Sequence, residues 1–498
     1  MWLVFFTALI VFVICSVIYI SHFSRKLTGN KKLFCHGMTL VLVLTGIADL
    51  LMNFVEFKGA FAAIGLCSAL EFVIYAYLME RKSPVIAFFG KVALVAALLE
   101  LTFFQFPSYR LLIGDYEHTV LNISQGELEN CYYENGGIYT CLDRKGEIFS
   151  TDKSVWMQGR CGWTYAYLCK IYGVKEEWLK FSKSCIDFLE EHCVNHDADG
   201  RLYFTVEADG TPLRQRRYCY SEAFYCIANA EYYGITGERE HLLRARRAYD
   251  MYWNLNHGMA DPTGMGPKST RAGRGLGIPM IILNVTGVMK RVDPEMKDVY
   301  DERAKECVAD IFNYHVKPEL GCTLESVGPN GETRLHVTEG RMVNPGHDIE
   351  CAWFLMDYAN EMGDKELHEK AINVFDMAFN MGWDKEFGGI LYFMDCLGNP
   401  PEAYEHDMKL WWPHNEALIA SMMIYRDTKD EKYLDIFYQI LDYCKKYFAD
   451  EYGEWYGYLR RDGKPTQPAC KGSTFKGPFH VPRCLILVDQ MMTQILGE

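Results

Sequence analysis

Apolar and polar residues divide the chain into two regions with different patterns. The first 24 residues contain no Asp, Glu, Lys or Arg, and Trp2 to Ile20 is long enough to cross a hydrocarbon core of about 30 Å. Three further apolar stretches follow, at 34–55, 59–79 and 84–106. The pattern predicts a bundle of about four transmembrane helices in residues 1–106, followed by a linker over 107–126.

Beyond the linker, helical patterns alternate with short segments that contain glycine turns. Each segment combines a Gly turn, an apolar or aromatic run and a second Gly turn, which is typical of a β-hairpin. Five segments share this pattern, at 134–147, 197–212, 318–332, 384–400 and 450–465. A degenerate Gly-rich stretch after Asn256 fills the longest gap between them.

The intervals between these segments predict pairs of helices, because apolar residues recur every three or four positions. Examples of these helical patterns are 217–235, 240–255, 296–314, 347–361, 365–381, 412–426, 431–448 and 480–495. The last three segments start 66 residues apart, so residues 107–498 have room for six units. We therefore predict an all-α fold, an (α/α)6 barrel with short β-hairpins over 127–498. An open helical solenoid is the alternative.

Charge is distributed unevenly between the two regions. Residues 1–106 carry a net charge of +3 and residues 107–498 a net charge of −17. The acidic balance argues against a nucleic-acid partner, and 49% hydrophobic residues exclude a disordered chain.

Lys and Arg are concentrated in the first and third loops of the predicted bundle, which places those loops in the cytoplasm. We therefore expect a multi-pass protein of the cell membrane with the barrel outside.

Cysteine usage disagrees with this location. Of the 18 cysteines, 15 follow residue 106, and they lack the spacing of metal-binding CxxC motifs. So many apparently free thiols suit a reducing compartment or an anaerobic exterior. Charge bias reports topology more directly, and the outside location stays the expectation.

Four polar and aromatic clusters lie beside the unit boundaries. They begin at Trp156, Asn344, Leu410 and Lys476. In the second cluster His347, Glu350 and Trp353 are spaced three and three, which places them on one face near a helix start. Glu350 would then hold the His347 ring. The alternative is that His347, His414 and His480 are capping or core residues, and that Trp411 and Trp412 belong to the core.

Other chemistries leave no motif in the chain. There is no phosphate-binding GxxxxGK[ST] loop, GxSxG elbow, supported dinucleotide site, HExxH motif or zinc-type Cys/His spacing. We therefore expect no metal. A carboxylate pair for glycoside hydrolysis stays open at this point.

At these clusters the chain resembles the N-acylglucosamine 2-epimerase family, which includes cellobiose 2-epimerases and aldose–ketose isomerases. The likeness covers about 127–495 and rests on ordered blocks: GGIYTCLDRKG, TDKSVWMQGR, NPGHDIECAWFL, GWDKEFGGILYF, DMKLWWPHNEAL and KGPFHVPR. GWDKEFGG and DMKLWWPHNEAL are most similar to the N-acylglucosamine branch. The family fold is an (α/α)6 barrel, in agreement with the predicted period.

The resemblance implies roles for particular residues. His347 and His480 match the two catalytic histidines, and Arg160 matches the arginine near the C1 and C2 oxygens of the sugar. The implied substrate-binding residues are Trp156, Glu350, Trp353, Trp412 and Glu416. A third cleft histidine of cellobiose epimerases has no match after Arg271, which argues against that branch.

The implied chemistry is inversion at C2 of an opened sugar. One histidine removes the C2 proton and the other returns a proton to the opposite face. This needs no metal or hydride carrier; ATP activates some N-acylglucosamine epimerases, and no motif decides whether it acts here. The expected partners are a small sugar, the bilayer through 1–106 and a second copy in a homodimer. The alternatives are a mannose-type aldose–ketose isomerase and a non-catalytic sugar-sensing membrane module.

Overall fold

A computed structural model describes residues 136–198, 200–215, 219–257 and 273–497. The predicted membrane region and its linker lie outside these residues, and so does the Gly-rich stretch at 258–272. Within the described ranges, no helix is long and apolar enough to cross a membrane.

Eleven α-helices account for most of the described residues. In chain order they are α1 Val155–Tyr172, α2 Glu176–Phe188, α3 Tyr220–Thr236, α4 Arg239–Asn256, α5 Gly277–Val292, α6 Lys297–Asp310, α7 Pro345–Met362, α8 Lys365–Gly382, α9 Trp411–Thr428, α10 Glu431–Tyr447 and α11 His480–Leu496. Short π-helical turns, Leu189–Cys193 and Ile311–His315, extend α2 and α6.

The odd-numbered helices form a closed inner ring. Each of them packs on the next odd-numbered helix, and α11 returns to α1. Two hydrogen bonds join the ends of this ring: Thr164 Oγ1 donates to Pro478 O at 2.7 Å, and Tyr167 Oη donates to Gln490 Oε1 at 3.1 Å. Each even-numbered helix packs outside the inner helix that precedes it. The predicted barrel is therefore the observed architecture, and the open solenoid is wrong.

Burial explains why the two sets of helices have different sequences. The inner helix α9 is buried at every position from Trp411 to Ile424, so this stretch has no exposed polar face, and its polar residues, such as His414 and Glu416, are buried too. The outer helix α10 buries residues at helical spacing, Tyr433, Ile436, Phe437, Ile440, Leu441, Tyr443 and Cys444, and exposes its charges. An apolar face of this kind contributes roughly 1.5–3 kcal/mol for each large buried side chain.

Thirteen short strands cap the barrel in the described residues. They are β1 Cys141–Leu142, β2 Ile148–Ser150, β3 Lys153–Ser154, β4 Thr205–Val206, β5 Pro212–Arg214, β6 Arg274–Gly275, β7 Val316–Lys317, β8 Cys322–Thr323, β9 Ser326–Val327, β10 Met342–Val343, β11 Met394–Asp395, β12 Lys409–Leu410 and β13 Tyr458–Leu459. All pairings are antiparallel: β1–β2, β3–β4–β5, β6–β9, β7–β8, β10–β11 and β12–β13.

These pairings confirm the local hairpins in part. Strand β1 lies in the first predicted segment, but its partner β2 follows that segment. Strand β4 lies in the second segment and pairs with β5, which begins at the last residue of that segment, and β7–β8 turns around Gly321 with φ +65°. By contrast, β11 and β13 pair with the strands directly before α7 and α9. The loop after an outer helix thus returns to the start of its inner helix, which gathers the loops at one end of the barrel.

Candidate active site

The predicted site residues come together at the barrel end where the inner helices begin. Arg160 lies in α1, and His347 is the third residue of α7. Glu416 lies in the second turn of α9, and His480 is the first residue of α11. Because the inner helices run in the same direction, their first turns face one cleft.

Local sequence explains how His347 is placed. Asn344 caps α7: its Oδ1 accepts a hydrogen bond from the His347 amide at 3.2 Å, and Pro345 occupies the first helical position. A Cβ on Gly346 would lie 2.6 Å from Cη2 of Trp412. Only glycine therefore lets the α9 indole approach the start of α7.

Trp412 contacts both candidate catalytic histidines. Its ring centroid lies 5.2 Å from that of His347 and 5.9 Å from that of His480. The indole itself is 9% exposed. The two histidines are thus neighbours across one aromatic ring, although they are 133 residues apart in the chain.

His347 is held by Glu325, in the loop between β8 and β9. Its Nδ1 lies 2.9 Å from Glu325 Oε2. Burial lowers the pKa of His347, but the charge and hydrogen bond of Glu325 outweigh it, and the net pKa is raised. His347 therefore holds a proton more readily than an ordinary histidine does; in its protonated form Nδ1–H donates to Glu325 and Nε2–H is left to act as an acid.

His480 has the opposite environment. Its Nδ1 lies 2.7 Å from Glu416 Oε1, and only 8% of its side chain is exposed. Burial and the positive charges of Arg160 and Arg483 lower its pKa well below the ordinary value. The ring is neutral near pH 7; with Nδ1–H donating to Glu416, Nε2 is the basic nitrogen.

Arg483 ties the carboxylates behind His480 together. Its Nη2 donates to Glu416 Oε1 at 2.6 Å and to Glu350 Oε1 at 2.8 Å. Trp353 Nε1 donates to Glu416 Oε2 at 2.8 Å, so both oxygens of this fully buried carboxylate are hydrogen-bonded. The network fixes the tautomer and orientation of His480.

Arg160 lies among aromatic rings. Its guanidinium carbon is 4.2 Å from the ring centroid of Phe224, 5.0 Å from Phe479 and 5.9 Å from Trp156. Burial lowers the pKa of Arg160 to about 9, so it remains a cation at neutral pH. The described residues provide it with no ion-pair partner, and its charge is available to an oxygen anion in the cleft. Trp156 itself is anchored by Nε1 donating to Ser221 Oγ at 3.1 Å.

Three groups here have ligand atoms close enough to hold a cation. Oxygen and nitrogen atoms of Glu350, Glu416 and His480 lie within 4.8 Å of one another. Arg483 already donates to both carboxylates, so its guanidinium supplies the positive charge that a metal would bring. The donor set fits an arginine-centred network better than a metal centre.

One sequence-based expectation about the site is wrong. Glu350 does not hold the His347 ring: it pairs with Arg483, and Glu325 holds the histidine instead. The reason is that the spacing of three fixes a shared helix face but not the partner across the cleft. His414 is a core residue, as the alternative interpretation had it, because its ring bonds the backbone at Leu410 and Ile390.

Sequence reasoning missed Glu325 and Arg483 as site residues. Glu325 lies in a predicted hairpin, and its only signal was that it is a single acid in the run 322–327. Arg483 follows His480 by three residues, a spacing that places both on one helix face and would have indicated it.

Known proteins share this architecture and sequence. The model of the N-acylglucosamine 2-epimerase (GlcNAc 2-epimerase) family matches residues 137–481. N-acylglucosamine 2-epimerase of Rattus norvegicus is 38% identical over 374 residues, which cover 73% of this chain and 87% of the rat protein. Cellobiose 2-epimerase of Ruminococcus albus is 24% identical over 394 residues, covering 72% and 93%. A D-mannose isomerase crystal structure superposes with a TM-score of 0.65 at 18% identity, covering 75% and 97%.

Fold and site together define a carbohydrate epimerase, an enzyme of the isomerase class built on an (α/α) barrel. The chain belongs to the N-acylglucosamine 2-epimerase family, because the family model covers more than half of it and a relative exceeds 30% identity.

Proposed function

We propose that this enzyme interconverts N-acetylglucosamine and N-acetylmannosamine by moving a proton at C2 between His480 and His347. The observation that carries this proposal is the pair of histidines whose surroundings shift their pKa values in opposite directions beside one indole ring. Two groups of this kind form an acid and a base at the same pH.

The residues fit each step of C2 inversion on an opened sugar. His480 Nε2 takes the C2 proton, and the electron pair moves to the C1 carbonyl oxygen to give an enolate that keeps the acetamido group on C2. Arg160 stabilises that oxygen anion, a contribution of a few kcal/mol. His347 then delivers its Nε2 proton to C2 from the opposite face. Each proton transfer by a positioned side chain contributes roughly 10²–10⁴-fold.

The charges of the cleft support a neutral substrate. The carboxylates of Glu325, Glu350 and Glu416 are balanced by Arg160, Arg483 and protonated His347. Because the charges of the cleft balance one another, a neutral sugar can bind without leaving any of these groups unpaired. Relatives at 36–38% identity that are N-acylglucosamine 2-epimerases support the acetamido sugars in particular.

Solvent deuterium tests this proposal. Either sugar incubated with the enzyme in D₂O should yield the C2 epimer with deuterium at C2, read by NMR. His347→Ala and His480→Ala should each abolish turnover, while His336→Ala, a change at an exposed histidine, should not. With mannose as the substrate in place of the acetamido sugars, a ketose product would establish the aldose–ketose isomerase instead. Saturable sugar binding without any C2 exchange would establish the sensing module.

We also propose that residues 1–106 anchor the enzyme in the cell membrane with the barrel outside, on the Lys and Arg bias of the predicted loops. The 14 cysteines of the described residues are free, which suits a reducing compartment or an anaerobic exterior, so the charge bias alone supports the outside location. Protease added to intact cells should then cleave the barrel; protection would place it inside.

Two further expectations have simple tests. Mass measurement of the purified protein tests the expected homodimer, and assays with and without ATP test activation.

A further inference from the structure

Two cysteines meet beside the loop that contains Glu325. Cys322 lies in β8 and is fully buried, whereas Cys396 directly follows β11 and is half-buried. Both side chains pack into one apolar cluster, and the two thiols form a hydrogen bond with each other. The cysteines are 74 residues apart in the chain, so the fold of the barrel brings them together.

Neighbouring backbone carbonyls fix the two segments that carry these cysteines. The Cys396 amide donates to Arg341 O at 2.9 Å, and the Glu325 amide donates to Met342 O at 3.0 Å. Cys322 is three residues before Glu325, the carboxylate that holds the candidate catalytic acid. A covalent bond between the two sulfur atoms would therefore act on the segment that supports the site.

The surroundings of the two thiols differ. Burial raises the pKa of Cys322, and its contact with Cys396 raises it further. Burial also raises the pKa of Cys396, but the hydrogen bond from Cys322 and the charge of Arg341 oppose that rise. Because the thiolate is the nucleophile, the half-buried Cys396 is the thiol that reacts first, and Cys322 is placed to attack it next.

We propose that Cys322 and Cys396 are a redox-modification site, at which a small-molecule disulfide such as glutathione disulfide oxidises the pair to an internal disulfide that lowers activity. The Cys396 thiolate attacks one sulfur of glutathione disulfide, which forms a mixed disulfide and releases one glutathione thiolate. The Cys322 thiolate then attacks the Cys396 sulfur and releases the second glutathione thiolate. The protons lost by the two cysteines end on the two glutathiones, so two thiols are oxidised and one disulfide is reduced.

The internal disulfide should displace Glu325. A bond draws two sulfur atoms closer than two thiols can approach, so β8 or the segment after β11 must move. A displacement of about 1 Å in a catalytic site can cost about 100-fold in rate, and we expect the oxidised enzyme to lose at least about tenfold in kcat/KM. This effect on activity rests on the proposed epimerase function, whereas formation of the disulfide does not.

The test treats the full-length protein with glutathione disulfide and maps its disulfides by mass spectrometry of its peptides. The expected result is a bond between Cys322 and Cys396, a loss of at least about tenfold in kcat/KM, and recovery with dithiothreitol. Cys396→Ser should keep wild-type activity and resist the oxidant. Cys322→Ser should retain one glutathione on Cys396, because the thiol that would displace it is absent.

Cys470→Ser is the matched control. Among the cysteines of the described residues, Cys396 and Cys470 are the two that are half-buried, so both are open to a small oxidant. Cys470→Ser should stay as sensitive to glutathione disulfide as the wild type. Failure to form the bond, a bond that leaves kcat/KM within two-fold, or inactivation that persists in Cys396→Ser would overturn the inference. Peptide mapping of the wild type needs no variant, and reduced enzyme without C2 exchange would instead reject the proposed function.

Discussion

Glu325→Gln should separate the charge of the carboxylate from its shape. Glutamine keeps an oxygen that can accept the Nδ1–H of His347 across the present 2.9 Å, so the ring and its tautomer stay in place. The lost charge is what raises the pKa of His347 against the lowering by burial. Without it the pKa should fall below the ordinary value, because burial then dominates.

The size of this shift follows from the exposure of the pair. A neighbouring opposite charge moves a pKa by about 1–3 units. Since 32% of the His347 side chain and 17% of Glu325 are exposed, solvent screens the pair, and the lower end of that range applies. One unit corresponds to about 1.4 kcal/mol and a tenfold change in the protonated fraction at high pH.

The assay is kcat/KM against pH, from C2 deuterium incorporation. His347 must be protonated to deliver its proton, so activity falls as pH rises through its pKa. In Glu325→Gln this basic limb should move about one unit towards acid, while the acidic limb, set by His480, should stay. Glu319→Gln, an exposed acid of the same hairpin, should leave both limbs unchanged. An unmoved basic limb in Glu325→Gln would refute the assignment of His347 as the acid.

Two further changes test the supports of the site. Gly346→Ala should push Trp412 away from α7 and reduce kcat by on the order of 10–100-fold. The control is Gly287→Ala, whose methyl group would meet its nearest atom at 3.7 Å and should leave the kinetics unchanged. Equal kinetics in both variants would contradict the role of Trp412. Arg483→Met should lower the free energy of unfolding by about 3–5 kcal/mol in urea denaturation, because it leaves Glu350 and Glu416 buried without a cation. Arg460→Met, at an exposed ion pair, should cost less than about 1 kcal/mol, and a similar loss in both would reject this account.

Helix positions were predictable because a helix with one buried face has apolar residues every three or four positions in the sequence. The predicted helix 431–448 is observed as Glu431–Tyr447, and 347–361 as Pro345–Met362. Their apolar faces recur every three or four residues, and Asn344 and Asp430 provide caps. Strand pairing was less accessible. Strands of two residues have no period of their own, and the partners of β11 and β13 depend on where the barrel brings the loops.

The same distinction applies to the site. His347 and His480 lie in dense sequence blocks, so their importance was visible before their geometry. Glu325 could not be assigned from sequence, because its backbone is placed by bonds to distant segments: its amide donates to Met342 O and its carbonyl accepts from the Leu276 amide.

In the proposed mechanism, the two histidines form a pair that shares one proton. Glu325 makes His347 its resting holder, and Arg160 and Arg483 keep it off His480. Reversal of the reaction needs the proton on His480 instead, a form with the same total protonation. Because pH controls only the total number of protons bound, both directions must share one pH profile and differ only in its height. The unequal surroundings therefore determine which histidine carries the proton in the resting enzyme. Trp412 contacts both imidazole rings and holds them close enough to act on one substrate.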